Sequence, residues 1–568
     1  MTVQQYALTE EQLRSLGHGG GSPDAVALLV DTQLSRRRLY LLAAAGQTPG
    51  LAEVLRLIAR IDRVDPAAGR ALLRYPFLEA WFGLLPPGGS GPEVDLVVHH
   101  LGALAAAAAA TAGIPFRLGL PGSGTDLVLP GAGTAIGVGP HPLSVRFEGA
   151  VLAVTSPARS LLVPAPFRER GPHWRPAPQV RLPAHVLEIV DADPLRDRYP
   201  EAPLEPMSSA RAATFGRLVA EAWRMLEVDQ PEHADGMRLA LRALVPLRRP
   251  ADGTQVSASV RGCFGAIGLS VPDDPEVLAE LLVHEFQHEK LGALLDLIDL
   301  CAGDGPALFH APWRPDPRPA SALVQGVYAF AGVAGFWRAR RAHGPGAARR
   351  RAAFRFAYRR EQVSYGLTQL LGSDALTPTG RLFCTALSAT VEAWREESPA
   401  TAAARRCVVA AHVAWRLAHQ RPDPAEVAAL ARAWAGTAAG PARLGEPSVV
   451  PGTSPATDLA QLIEDAWLPG HATLTGASEA EQAIVAEQAI VAQDYRGAQE
   501  MLTAPRSERE WVALAVALGS GSGESFACRR PELLRAVSDR IAAAGRAPEP
   551  ELLAQWLDRI GKTPDRQH

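Results

Sequence analysis

Apolar residues recur every three or four positions along most of this chain, a spacing that predicts amphipathic helices. The first 114 residues follow the pattern, as do residues 207–440 and the alanine-rich chain beyond a Gly/Pro/Ser stretch near 440–455. Thr9, with two glutamates after it, is placed to start the first helix. Most of the chain is therefore predicted to be helical, including a segment at 237–247.

A different pattern follows residue 115, where short runs of alternating apolar and polar residues lie between Gly and Pro clusters. These runs, at 116–120, 125–129, 143–147 and 151–155, predict antiparallel strands. A further strand pair is predicted at 256–271. The predicted fold class is mainly α with a small antiparallel β region, that is, α+β.

These patterns divide the 568 residues into four predicted regions. They are an N-terminal helical region (1–114), a small β-rich region (115–206), a helical domain (207–440) that holds the candidate metal and catalytic motif described below, and a linker with a helical, repeat-like C-terminal module (441–568).

Composition narrows the classes of partner and location. The formal charge of −3 gives no basic field for nucleic acid or an anionic membrane. The five cysteines are scattered without Cys-x-x-Cys spacing, so neither a disulfide framework nor an iron–sulfur cluster is indicated. The N-terminus lacks a signal pattern, and the apolar run at 101–112 is too short to span a bilayer. A cytoplasmic protein is expected.

The strongest candidate for chemistry is a His-Glu-x-x-His motif within a predicted helix. His284 and His288 are one turn apart, so both imidazoles can bind one cation from the same helix face. Imidazole suits zinc, iron, copper and nickel. Glu285 lies beside that face, where it can act as a base or orient a bound water. Asp273 or Asp274, followed by a proline, can cap the helix. Two coincidental surface histidines are the plain alternative, but the flanking leucines favour a buried helix.

The motif leaves a third protein ligand to be found. The helix predicted next has no acidic residue, unlike zinc peptidases with a glutamate ligand downstream. Glu361 and Asp316 are the carboxylates that could take its place, and Glu392 and His412 are later candidates. Three kinds of site stay open: zinc with Glu285 as base, a non-haem Fe(II) triad, or a structural metal.

An oxygenase that uses 2-oxoglutarate also needs a cation for the co-substrate's distal carboxylate, and arginine can bind it through two hydrogen bonds. A proline-rich loop at 308–319 offers Arg314 and Arg318, and the helix that carries Glu361 offers Arg359 and Arg360.

Four runs of sequence, taken together, are far more specific than the His-Glu-x-x-His motif alone: FGAIGLSVPDD, LVHEFQHEKLGALLDLIDL, APWRPDPRP and LVQGVYAFAGVAGFW. They resemble the HEXXH-motif peptide-modification proteins of actinobacteria, which accompany ribosomally made, post-translationally modified peptides. The likeness extends to the N-terminal helices and the C-terminal module, so it covers most of the chain.

The resemblance implies a 2-oxoglutarate- and Fe(II)-dependent enzyme that β-hydroxylates side chains of a precursor peptide, on a fold that is not a peptidase fold. It implies that His284, His288 and a carboxylate, for which Glu361 is chosen over Asp316, bind the iron. Glu285 would then orient a ligand or water, and Arg314 and Arg318 would bind 2-oxoglutarate. Members of this family are sometimes fused to a radical SAM domain. This chain lacks the Cys-x-x-x-Cys-x-x-Cys motif of such a domain, so any radical SAM partner is a separate protein. The alternatives are a zinc metallopeptidase that cleaves a precursor peptide and a non-catalytic, peptide-binding scaffold.

Overall fold

The computed structural model describes residues 6–85, 92–303, 305, 308–441, 443–453, 459–466, 479–545 and 547–562. It divides into two compact units, one of residues 1–16 and 20–298 and the other of residues 17–19 and 299–568. The predicted catalytic region 207–440 therefore contributes to both units. Part of the predicted C-terminal module, including residues 467–478, lies outside the described residues.

The first unit combines helices with three sheets. Its helices are α1 (Glu10–Gly17), α2 (Pro23–Gln47), α3 (Ala52–Val64), α4 (Pro66–Leu73), α5 (Leu78–Phe82), α6 (Pro92–Thr111), α7 (Ser209–Asp229), α8 (Pro231–Ala240) and α9 (Pro275–Leu295). Its strands are β1 (Phe116–Leu120), β2 (Leu127–Leu129), β3 (Gly133–Ala135), β4 (Leu143–Glu148), β5 (Val151–Thr155), β6 (Ser160–Pro164), β7 (Trp174–Pro176), β8 (Gln179–Leu182), β9 (His185–Ile189), β10 (Ala243–Leu247), β11 (Ser257–Ser259) and β12 (Ala266–Ser270).

Two of these sheets are antiparallel, in the orders β1-β4-β5-β6 and β2-β3-β7, which confirms the β region predicted after residue 115. The third sheet is mixed and has the order β11-β12-β10-β9-β8. Within it β12, β10 and β9 run parallel to one another, whereas the edge strand β11 is antiparallel to β12 and the edge strand β8 is antiparallel to β9. The prediction of antiparallel strands alone was therefore incomplete.

The helix predicted at 237–247 is wrong in its second half. The helix ends at Ala240, and Ala243–Leu247 forms the central strand β10, buried along its whole length. A strand that is covered on both faces shows no alternation of polar and apolar residues, so its sequence does not distinguish it from a buried helix.

The mixed sheet supports the helix that carries the histidines. Helix α9 packs against β11, β12, α2 and α7. It begins as predicted, with the Asp274 carboxylate accepting a hydrogen bond from the Glu276 amide at 2.8 Å and Pro275 in the first turn.

The second unit is almost entirely helical. Its helices are α10 (Ala320–Arg340), α11 (Gly346–Leu371), α12 (Pro378–Ala393), α13 (Pro399–His419), α14 (Pro424–Trp434), α15 (Leu459–Ala466), α16 (Glu479–Val491), α17 (Tyr495–Met501), α18 (Glu508–Leu518), α19 (Phe526–Arg529), α20 (Pro531–Ala542) and α21 (Pro550–Gly561). Its four short strands are β13 (Phe309–His310), β14 (Pro317–Arg318), β15 (Gln420–Arg421) and β16 (Ser448–Val449).

The described helices after residue 459 share one hydrophobic core with α11, α13 and α14, and Trp511, Leu514, Leu533 and Leu557 lie within it. Across both units the fold is α-dominant, as predicted. Among the described residues, two helical segments, Glu93–Thr111 and Ala320–Arg340, are long and apolar enough to cross a membrane, but 72% of the most apolar stretch of each is buried in the protein. Both are therefore mostly buried helices, as expected for helices of a protein core.

Candidate metal site on helix α9

The two histidines of the motif converge, as their spacing predicts. The Nε2 atoms of His284 and His288 are 3.2 Å apart, and the ring planes are inclined by 74°. Both side chains are half-buried, whereas Leu282, Val283 and Phe286 on the other faces of α9 are fully buried. The pair therefore lies on the partly accessible stripe of an otherwise enclosed helix.

The separation of the two Nε2 atoms suits a shared metal ion. Zinc–imidazole bonds of about 2.0–2.1 Å at a tetrahedral angle place two ligand nitrogens roughly 3.3 Å apart. The observed distance of 3.2 Å is close to that value without any rearrangement of the helix. The chemistry of the donors, two imidazoles, suits iron or zinc.

Glu285 does not lie with the histidines on the accessible stripe. Its side chain is buried, and its Oε1 accepts a hydrogen bond of 2.7 Å from the Ser257 hydroxyl. Ser257 belongs to the edge strand β11, so this bond joins the first strand of the sheet to the helix that carries the motif. The sequence offered no signal for this partner except that Ser257 lies in an alternating run.

Two further charged groups of α9 are buried next to the motif. The Glu289 carboxylate accepts a hydrogen bond from the Gly265 amide at 2.6 Å, and burial raises its pKa to about 8. The Lys290 amine donates to the Gly20 carbonyl at 2.6 Å, and burial lowers its pKa to about 7. Burial therefore favours the neutral form of both side chains, more than water would.

The proposed third ligand, Glu361, lies in the second unit, on α11. Its carboxylate pairs with Arg360 and has one oxygen 3.4 Å from Nε of Arg405. Across the described ranges, no group of three or more His, Cys, Asp or Glu side chains forms a metal site. The choice of Glu361 as a ligand stays a prediction.

The reserve ligand Asp316 and the two predicted 2-oxoglutarate arginines form one cluster in the second unit. Arg314 and Arg318 both donate to the Asp316 carboxylate, at 3.0 and 2.9 Å. Burial raises the pKa of Asp316, but the hydrogen bonds from Arg318 and Arg314 outweigh it and leave the pKa below its usual value. Any carboxylate that binds these arginines competes with Asp316.

The remaining candidates of the second unit also have partners of their own. Arg359 donates to Gln362 at 2.9 Å. Glu392 accepts a hydrogen bond from Ser364 at 3.3 Å. The Nδ1 atom of His412 lies 2.6 Å from the hydroxyl of Tyr365, and burial lowers the pKa of His412 to about 3. Each of these groups therefore already has a hydrogen-bond partner within its own unit.

Comparison with protein-family models gives no match for this chain, and comparison with curated proteins gives none either. The resemblance to the HEXXH-motif peptide-modification proteins therefore stays a prediction from the four sequence runs.

Proposed function

We propose that this chain is a cytoplasmic, Fe(II)- and 2-oxoglutarate-dependent enzyme that β-hydroxylates a side chain of a ribosomally made precursor peptide. The observation that carries the metal-dependent part is the 3.2 Å approach of the His284 and His288 Nε2 atoms on a half-buried stripe. The choice of hydroxylation rests on the sequence resemblance.

In this proposal the chain supplies two imidazole ligands, with Glu361 as the predicted third ligand. Iron and 2-oxoglutarate, when bound, would supply the oxidising chemistry, in which O₂ gives one oxygen atom to the peptide C–H bond and the other to succinate, with release of CO₂. Both histidines are half-buried, so each stays reachable for a metal ion and a substrate from one side of the helix.

Glu285 acts as a positioning residue in this mechanism. Its carboxylate is buried and bonded to Ser257, so it orients the helix backbone and the neighbouring histidine through the edge strand. Groups that orient metal ligands commonly change metal affinity or activity by about 10–100-fold when they are removed.

The edge strand β11 supports a peptide as the substrate. In the part of the chain that the structure describes, it pairs with β12 on one side and with no strand on the other, and its residues Ser257–Ser259 are half-buried beside α9. An extended peptide can add to such an edge through backbone hydrogen bonds, which places its side chains next to the helix.

The test is metal-dependent turnover. Protein purified without oxygen is loaded with Fe(II) or zinc, and succinate is measured with 2-oxoglutarate and a candidate precursor peptide. We expect iron-dependent succinate and a 16 Da gain in the peptide, and loss of both in His284→Ala. His141→Ala, at an exposed histidine in the β-rich region, is the matched control and should retain turnover.

Absence of succinate from iron-loaded protein, with zinc retained after dialysis, would contradict the hydroxylase. A zinc metallopeptidase is the second candidate, because the same edge strand β11 can align a peptide for cleavage beside the helix that carries His284, His288 and Glu285. That candidate predicts a specific cleavage product that disappears in Glu285→Gln, where the general base is lost.

A further inference from the structure

The far edge of the mixed sheet borders a second feature, a groove of about 500 Å³. Its walls are the edge strand β8, the preceding segment 168–178 and the first turns of α7. All of these residues belong to the first unit. Nothing in the proposed mechanism uses this groove.

The groove is strongly basic. Five arginines line it, and the described lining residues include no Asp or Glu: Arg168, Arg170, Arg175, Arg181 and Arg217. This departs from the whole chain, in which 60 acidic residues outnumber 57 basic ones. Two exposed acids, Glu169 and Glu221, are close in sequence but do not line the groove.

Most of this positive charge has no counter-charge. Arg175 forms an ion pair with Asp191 at 2.8 Å, and Arg217 donates to the Thr214 hydroxyl at 3.0 Å. Within the described residues Arg168, Arg170 and Arg181 have no ion pair and no side-chain hydrogen bond, and all three are exposed. An anionic partner would therefore meet three arginines that do not have to break an existing bond.

The strand at the groove indicates what kind of anion fits. Among the described residues, strand β8 is the last strand of its sheet and pairs with β9 alone, so its other side offers backbone donors and acceptors. Gln179 and Arg181 are exposed while Val180 and Leu182 are buried. In an extended peptide on this edge, successive side chains point to opposite faces. Every second side chain therefore faces the arginines, and a carboxylate at each of these positions can pair with them. The N-terminus of α7, where Ser209 lines the groove, adds a positive partial charge.

Nucleic acid is a poorer fit. Single-stranded nucleic acids commonly bind by stacking their bases on aromatic side chains. The described lining of the groove has no aromatic residue, and its apolar part consists of small or aliphatic residues such as Val180, Ile189 and Met207.

We propose that this groove binds an extended acidic segment of a peptide, which adds to the β8 edge and pairs with Arg168, Arg170 and Arg181. That the peptide is the substrate rests on the proposed function. Four strand spacings of about 4.8 Å separate β8 from β11, which is roughly 19 Å. At about 3.3 Å per residue, at least six residues must separate the docking segment from a residue modified beside α9.

Binding is tested by fluorescence anisotropy on the full chain, with a labelled twelve-residue peptide of alternating Val and Glu. We expect Arg170→Glu with Arg181→Glu to raise the Kd by about tenfold or more, because attraction becomes repulsion. The matched control, Arg56→Glu with Arg117→Glu, reverses two exposed arginines outside the groove and should leave the Kd within about twofold. Two control peptides should bind more weakly than the Val–Glu peptide. A peptide of alternating Val and Gln lacks the negative charges, and a backbone N-methylated Val–Glu peptide lacks the amide hydrogens that pair with a strand edge.

Unchanged binding in the groove variant, or an equal loss in the control variant, would overturn the proposal. Tighter binding of a twelve-nucleotide single strand would overturn it in favour of nucleic acid. The result is separable from the proposed function, because His284→Ala should bind the Val–Glu peptide normally. Peptide binding without iron-dependent succinate would retain the groove and reject the hydroxylase, and the reverse outcome would reject the groove alone.

Discussion

The bond between Ser257 and Glu285 gives the sharpest test of the chemistry on helix α9. Glu285→Gln keeps the size of the side chain and an oxygen that accepts from Ser257, but it removes the negative charge. The bond is 2.7 Å long and its acceptor is 2% exposed. A hydrogen bond to a charged group contributes about 1.5–3 kcal/mol and a neutral one about 0.5–1.5 kcal/mol. The substitution therefore costs about 1–1.5 kcal/mol, or about tenfold in an equilibrium constant.

The assay separates two effects of that cost, iron affinity and turnover at saturating iron. If Glu285 positions His284, the Kd for Fe(II) rises by about 10–100-fold and succinate formation recovers when iron is saturating. If Glu285 is a general base, metal affinity is unchanged and the rate falls by about 10²–10⁴-fold even when metal is saturating.

Two further variants test whether the strand is involved. Ser257→Ala removes the same bond from the other side, so its effect and that of Glu285→Gln should not add. Ser259→Ala, two residues along β11, is the matched control and should leave iron affinity unchanged. An unchanged Kd for iron in Glu285→Gln, together with a loss of turnover above about a thousandfold, would refute the positioning role.

Three further predictions concern stability and the proline-rich loop. Between pH 7 and 10.5 the unfolded chain binds more protons at Lys290 than the folded chain does. The free energy of unfolding should therefore rise with pH in this range by up to about 1.4 kcal/mol per pH unit. Lys290→Met should remove that rise in urea titrations. The folded chain keeps a proton on Glu289 between about pH 4.5 and 8, so stability should fall as pH rises through that range, and Glu289→Gln should flatten the fall. Slopes equal to those of the wild type would contradict either assignment. A Cβ at Gly326 would lie 2.2 Å from Cζ2 of Trp313. Gly326→Ala should therefore lower the free energy of unfolding by about 1–3 kcal/mol and shift the tryptophan fluorescence. An unchanged spectrum would count against that contact.

Much of the helical framework was predictable because its signals are local. The spacing of His284 and His288 placed both rings on one face, and the cap at Asp274 with Pro275 placed the start of α9. These signals act within one or two turns, and the distances that they imply depend only on helix geometry.

Parallel strands and buried charges were not predictable in the same way. The run Ala243–Leu247 was expected to continue a helix, because a strand with neighbours on both sides and cover on both faces has no polar positions to mark it. Glu289 and Lys290 look like surface residues in the sequence, yet both are buried because neighbouring segments supply Gly265 and Gly20 as partners.

Local sequence patterns are enough to predict the mainly helical character, the antiparallel strands after residue 115, and a pair of histidines that can share a metal ion. Three features became visible in the folded chain alone: Glu285 is bonded to Ser257, β11 and β8 are the two edges of one sheet, and arginines from separate segments line one groove. The physical reason is that periodicity and capping depend on neighbours along the chain. Strand order, hydrogen-bond partners and charge clusters depend instead on which distant segments meet when the core is buried.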